Sequence, residues 1–246
     1  MTLIQTEPKK IYIRVDEQWW QPWVNTVFYY PLESDGNDYS WNSHNLTWYW
    51  TPTYTTSWWT KQVVSLNGST GGIINNLSGT YTNYTFNLWC KPTSTNTWQE
   101  IFDNVYIWNS NNAYLNYNWT SYEKWWYRDF AYQYRPNGWT NAYQNVYWTS
   151  NRTTSMWYNV VLTSTSSWIK IYVNGSQIAT NSTTWTIILN SWYNSIWMRY
   201  NNTITPAWYQ NFFNWYLSEF IFESTTRTAQ EVSDYYNDTK SLYWIS

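Results

Sequence analysis

Apolar and polar residues alternate in short runs along this chain, and each run is bounded by Asn, Ser, Thr, Gly or Pro. The runs are NTVFYYPL, QVVSL, TYTNYTFNLWC, EIFDNVYI, NAYLNYN, YRDFAYQY, WYNVVLT, WIKIYVNG, TIILN and YLSEFIFES. Such runs, punctuated by turn residues at this spacing, predict a sandwich or jelly roll of ten or more strands, and not alternating strand–helix–strand units. One stretch departs from the pattern. In STTRTAQEVSDYYNDTK, Thr228 and Glu231 stand at capping-box spacing, and Val232, Tyr235 and Tyr236 can share one face, so a single short helix closes the domain. No composition break or internal repeat divides the chain. Residues 26–246 therefore read as one domain, and 1–25 as an N-terminal arm or attachment segment.

Composition sharpens this. The chain has 246 residues, with 26 Tyr and 24 Trp, and few of the helix formers Ala, Leu, Lys and Glu, which supports an all-β class. Lys plus Arg is 13, Asp plus Glu is 15 and charged residues make up 11%, too little positive charge to hold a phosphate backbone; nucleic acid is not an expected partner. A lone cysteine, Cys90, rules out an internal disulfide framework and reads as a small buried hydrophobe. The N-terminal residues lack the apolar run of a signal peptide, and no segment reaches membrane-spanning length. No membrane insertion is expected, and an extracellular or virion-surface location would need another export route.

The stretch WYNVVLTSTSSWIKIYVNGSQIA, Trp157 to Ala179, reads as strand, polar turn, strand and strand, with Asn174-Gly175 suited to the positive φ angles of a tight hairpin. It resembles the central hairpin of laminin-G-like, concanavalin-A-like domains. YYPLESDGNDYSWNSHN (Tyr29 to Asn45), VVSLNGSTGGI, FNLWCKPTS and FNWYLSEFIFESTTRTAQEVSDYYN match further pieces of that family in order, over about residues 26–240. The resemblance implies a jelly-roll sandwich of two antiparallel sheets. It also implies a recognition or adhesion role.

At Trp41, Trp197 and Trp215 the family usually has glycine. The chain holds only 7 glycines, where average usage of about 7% gives roughly 17. Other tryptophans, Trp119 among them, stand next to turn residues, where W read as G gives a natural loop. One reading is that the source genome assigns the UGA codon to glycine, as in some viruses or bacteria, while this sequence was written with UGA as tryptophan. A measured peptide with an intact indole at Trp197 or Trp215 refutes it. The rival reading takes the indoles as real, exposed and stacked on sugar rings.

Candidate chemistry is sparse. Glycosidases need two facing carboxylates; Glu100 and Asp103 lie three apart, which strict strand alternation would place on opposite faces. His44, the single histidine, sits in a polar loop with no matched nucleophile. The loop ESDGNDYSWNS offers Asp35, Asn37, Asp38 and Asn42, hard oxygen donors of the kind calcium takes, and a turn-forming Asx loop accounts for the same residues. Structural calcium is the one cofactor to consider. For ligand binding, aromatic and amide content selects two loops: Trp125, Trp126 and Tyr127, and Asn137, Trp139 and Tyr143.

The leading functional expectation is a non-enzymatic module that binds glycan or protein on a cell surface. The alternative is a structural virion component (fibre, tail or capsid decoration) contacting other virion proteins. A glycoside hydrolase ranks third.

Overall fold

The computed structural model describes residues 24–49, 51–57, 61–93, 99–104, 111–121, 124–136, 144–148, 156–182, 186–189, 194–196, 199–201, 208–210 and 215–243. Most of the 1–25 segment, Asn137, Trp139, Tyr143 and Trp197 lie outside the described residues. The first strands are β1 (Thr26–Tyr30), β2 (Leu46–Trp48), β3 (Thr53–Ser57), β4 (Lys61–Ser65), β5 (Gly72–Ile74), β6 (Gly79–Tyr81), β7 (Tyr84–Pro92), β8 (Gln99–Asn104), β9 (Asn111–Ser121) and β10 (Lys124–Pro136). Then come β11 (Gln144–Trp148), β12 (Tyr158–Ser164), β13 (Ile169–Val173), β14 (Ser176–Asn181), β15 (Ile187–Leu189), β16 (Asn194–Ile196), β17 (Arg199–Asn201), β18 (Trp208–Gln210) and β19 (Trp215–Glu223). Helix α1 (Ala229–Thr239) follows, with a short 3-10 turn behind it.

Eight strands form one sheet in the order β14-β13-β12-β7-β19-β4-β3, with β1 added beside β19. Seven form the second, β11-β10-β9-β8-β16-β5-β2, and two two-stranded ribbons complete the set. This is the expected antiparallel jelly-roll sandwich. Strand β7 explains the layering: Tyr84, Phe86, Leu88 and Cys90 enter the core between the sheets, while Trp89 faces the opposite way. Period-two alternation thus feeds two cores from one strand. In the main core, the rings of Phe86 and Phe222 stack at 4.4 Å. On the other face, Trp89 stacks on Tyr243 at 4.1 Å, and Tyr235 joins them from α1.

The hairpin turn forms as expected. Asn174 and Gly175 take φ of 51° and 75°, and Asn174 Oδ1 accepts from the Asn159 amide at 2.9 Å. At the helix start, Thr228 N–H donates to Glu231 Oε2 at 2.9 Å and Glu231 N–H to Thr228 Oγ1 at 3.2 Å, the reciprocal bonds of the capping box. Val232 and Tyr235 are buried and Tyr236 is half-buried, so the predicted face docks on the sheet.

Strand β19 contains a bulge. Glu219 adopts φ 53°, and pairing with β7 breaks between Ser218 and Ile221. The extra residue lets Leu217 and Phe220 both face the main core although they are three apart. Glu219 is thereby left on the face covered by α1.

Candidate functional site

The loop between β1 and β2 is built around one carboxylate. Asp38 Oδ1 accepts from the amides of Tyr29 at 2.9 Å and Ser40 at 2.8 Å, and Oδ2 accepts from Ser40 Oγ and the His44 amide, both at 2.8 Å. Four donors use the roughly four lone-pair sites a carboxylate offers. Asn42 Nδ2 adds bonds to the carbonyls of Thr26 at 2.9 Å and Val27 at 3.0 Å, which tie the loop to β1. His44 Nδ1 lies 3.1 Å from the Asn75 carbonyl, a hydrogen-bonding role. The sequence signal was the run of Asp, Asn and Ser, which competes for backbone donors in this way.

Asp35 is used differently. It accepts from the Asn37 amide at 3.0 Å and from Asn37 Nδ2 at 2.8 Å, and Tyr39 OH lies 3.4 Å from Oδ2. Next to it, the Trp48 indole lies over Gly36, where an added Cβ would sit 2.6 Å from Trp48 Nε1. Only glycine admits that approach. Tyr54 on β3 is close enough to feel the same charge: its burial, and then the Asp35 carboxylate, push its phenol up to about 12. Burial, then Asp35 and Glu33, also raise the Tyr39 phenol. Both hydroxyls are therefore protonated donors at neutral pH. Tyr39, Trp41 and Tyr49 are 41%, 83% and 38% exposed, and all three lie between β1 and β3. Strands β2 and β3 are edge strands of the two sheets, so the segment borders both layers.

The surroundings are acidic. From Val24 to Ser57 the chain carries Glu33, Asp35 and Asp38 and no Lys or Arg. The first base after it, Lys61, lies 2.7 Å from Glu33 Oε1 and 2.7 Å from Glu219 Oε1, with its own side chain 12% exposed. Glu219 also accepts from Tyr235 OH at 2.5 Å. Burial alone would raise the Glu219 carboxyl, but Lys61 overrides it and the carboxyl is lowered. Burial alone would lower Lys61, and Glu219 raises it instead.

The sequence-selected residues fare unevenly. The backbone of Trp125, Trp126 and Tyr127 is not a loop: it lies in β10, at the register break between Lys124 and Arg128. Trp119, expected beside a turn, lies inside β9. Trp41 and Trp215 do not occupy the left-handed backbone that would require glycine. Trp215 opens β19 fully buried, with its ring 6.2 Å from that of Phe130. Cys90 is free and buried, as expected.

The parity argument for Glu100 and Asp103 also needs correction. Pairing of β8 with β9 shifts between Glu100 and Phe102, so Glu100 pairs with Asn116 and Asp103 with Tyr114. Those partners are two apart on β9, and alternation no longer separates the two acids. For calcium, Asp35, Asn37, Asp38 and Asn42 do not form a preorganised seat. Asp38 is saturated by donors, and the Asn37 and Asn42 side chains are engaged as donors within the protein. Among the described residues no group of three or more His, Cys, Asp or Glu is placed to hold a metal, and no helix is long and apolar enough to cross a membrane.

The architecture recurs in solved structures. Domain 4 of a GH43 extracellular arabinanase from Geobacillus stearothermophilus, in complex with arabinotriose, aligns with a TM-score of 0.65 at 15% identity, over 85% of this chain and 97% of that one. The binding domain of Paraclostridial Mosquitocidal Protein 1 aligns with a TM-score of 0.64 at 15% identity, over 87% and 52%. The binding domain of Botulinum Neurotoxin DC, in complex with SialylT, aligns with a TM-score of 0.60 at 13% identity, over 90% and 52%. The chain thus spans about half the length of the two toxin domains. No curated protein matches it. Residues 66–233, which carry the hairpin, the bulged last strand and the start of the closing helix, match a laminin-G family, and the chain accordingly belongs to the concanavalin A-like lectin/glucanases superfamily.

Proposed function

We propose that this protein is a non-catalytic glycan-recognition module acting on cell-surface sugars. The observation that carries the reading is the loop between β1 and β2, where exposed aromatic rings alternate with Asp and Asn on a backbone held rigid by Asp38. Aromatic faces take the apolar faces of sugar rings, and carboxylate and amide groups take the hydroxyls. The fold is also shared by an arabinanase domain in complex with arabinotriose and by a toxin binding domain in complex with SialylT. Binding of the purified chain to an immobilised oligosaccharide panel, without release of reducing sugar, is the expected result.

A hydrolytic reading rests on one observation, the register shift that removes the separation between Glu100 and Asp103. Sugar release abolished by Glu100→Gln would establish it and displace the binding reading.

A further inference from the structure

We propose, resting on the glycan reading above, that Asp35, Tyr39, Trp48 and Tyr54 form a subsite for an uncharged sugar ring and discriminate against sugars ending in a carboxylate or sulfate. Two phenols and an indole gather around one carboxylate. Tyr39 OH lies 3.4 Å from Asp35 Oδ2, the half-buried Trp48 indole lies over Gly36, and half-buried Tyr54, which like Trp48 packs one side against the main core, stands on β3, an edge strand of the other sheet. Sugar rings present C–H faces to aromatic planes and hydroxyl donors to carboxylates, and a hydroxyl bond to an ionised oxygen is about twice as strong as a neutral one. Asp35 is suited to that part where Asp38 is not. Asp35 Oδ1 accepts one bond, from the Asn37 amide, whereas both oxygens of Asp38 accept two each.

Selectivity follows from charge. Recognition of a carboxylate or sulfate draws on Arg or Lys donors. None occurs from Val24 to Ser57, and Lys61 is buried between Glu33 and Glu219. An anionic sugar at the subsite would face the Asp35 carboxylate with no Lys or Arg supplied by residues 24–57. Repulsion of this kind near a protein surface amounts to about tenfold in affinity and weakens with salt. The subsite depends on tyrosines and on Trp48, so it stands whatever residue occupies position 41.

The test is a panel of immobilised neutral oligosaccharides, each printed beside its sialylated counterpart, probed with the full chain at low and high salt. The expected result is that neutral members bind, their sialylated counterparts bind about tenfold less, and added salt narrows the gap. Asp35→Asn should narrow it by about fivefold. Tyr39→Ala should weaken neutral binding at least about tenfold, and Tyr54→Phe by a smaller factor, with the melting temperature held. Equal or tighter binding of sialylated members overturns the selectivity. Neutral binding untouched by Tyr39→Ala and Asp35→Asn puts the sugar elsewhere and overturns the subsite, while the glycan reading stands. A panel on which nothing binds defeats that reading itself, and the subsite with it.

Discussion

The face beneath α1 and the loop between β1 and β2 are made of the same residue types, carboxylates among tyrosines and tryptophans, and put them to opposite uses. Under the helix, Trp89, Tyr235 and Tyr243 are buried, and each carboxylate there has a cation: Glu219 holds Lys61, and Glu223 holds Arg227 through two bonds of 2.7 and 2.9 Å. In the loop, Tyr39 and Trp41 face water, and Asp35 has no basic partner among the residues from 24 to 57. Composition alone does not distinguish a dry structural network from an exposed loop. Burial and the supply of counter-charge do.

The contrast can be broken from its buried side first. Arg227→Ala leaves Glu223, 1% exposed, without its bidentate partner, and should cost about 3–5 kcal/mol in denaturant unfolding. Lys61→Met strands Glu219 at a cost of about 3 kcal/mol, and it carries a pH signature. Glu219 is held below its usual 4.5, so its contribution is present above about pH 4.5 and lost as pH falls through the folded value. Lys61 is held above its usual 10.5, so its contribution is complete below that pH and lost as pH rises through its folded value. Without Lys61, burial raises the Glu219 carboxyl, so the variant should lose stability relative to wild type as pH rises above about 4.5, and the two curves should converge in acid.

The loop side sharpens the comparison with smaller effects. Asp38→Ala removes four accepted bonds and should cost about 2 kcal/mol. Asp35→Ala, three residues away, should change stability by less than about 0.5 kcal/mol. Calcium, which must displace the donors of Asp38 to enter the loop, should leave the melting temperature unchanged, since only a ligand that prefers the native state raises it.

Much of the architecture was legible because alternation and turn chemistry are local. The runs around β1, β4, β7, β12, β13 and β19, the Asn174-Gly175 turn and the Thr228 capping box all form where the residues indicate. Strand β3, TYTTS, was not legible, because its polar β-branched residues at a sheet edge carry no apolar alternation. The register breaks in β8 and β19 were also invisible. A bulge adds a residue without altering the composition, and at Glu219 it does so with a side chain that rarely adopts positive φ. Hence parity failed for Glu100 and Asp103. The loop of Asp35 and Asp38 was found as a candidate metal seat, but two of the aromatics beside it, Trp48 and Tyr54, lie outside the loop's own run of residues.

Asp38 has one further consequence. A loop whose shape is already fixed by four hydrogen bonds loses little conformational freedom when a partner arrives. Association would then resemble docking on a hard surface, fast and limited by diffusion and orientation, and weak affinity would show as short residence. Many copies side by side would hold a sugar-coated surface by rebinding, so the strength of attachment would depend on copy number more than on any single contact.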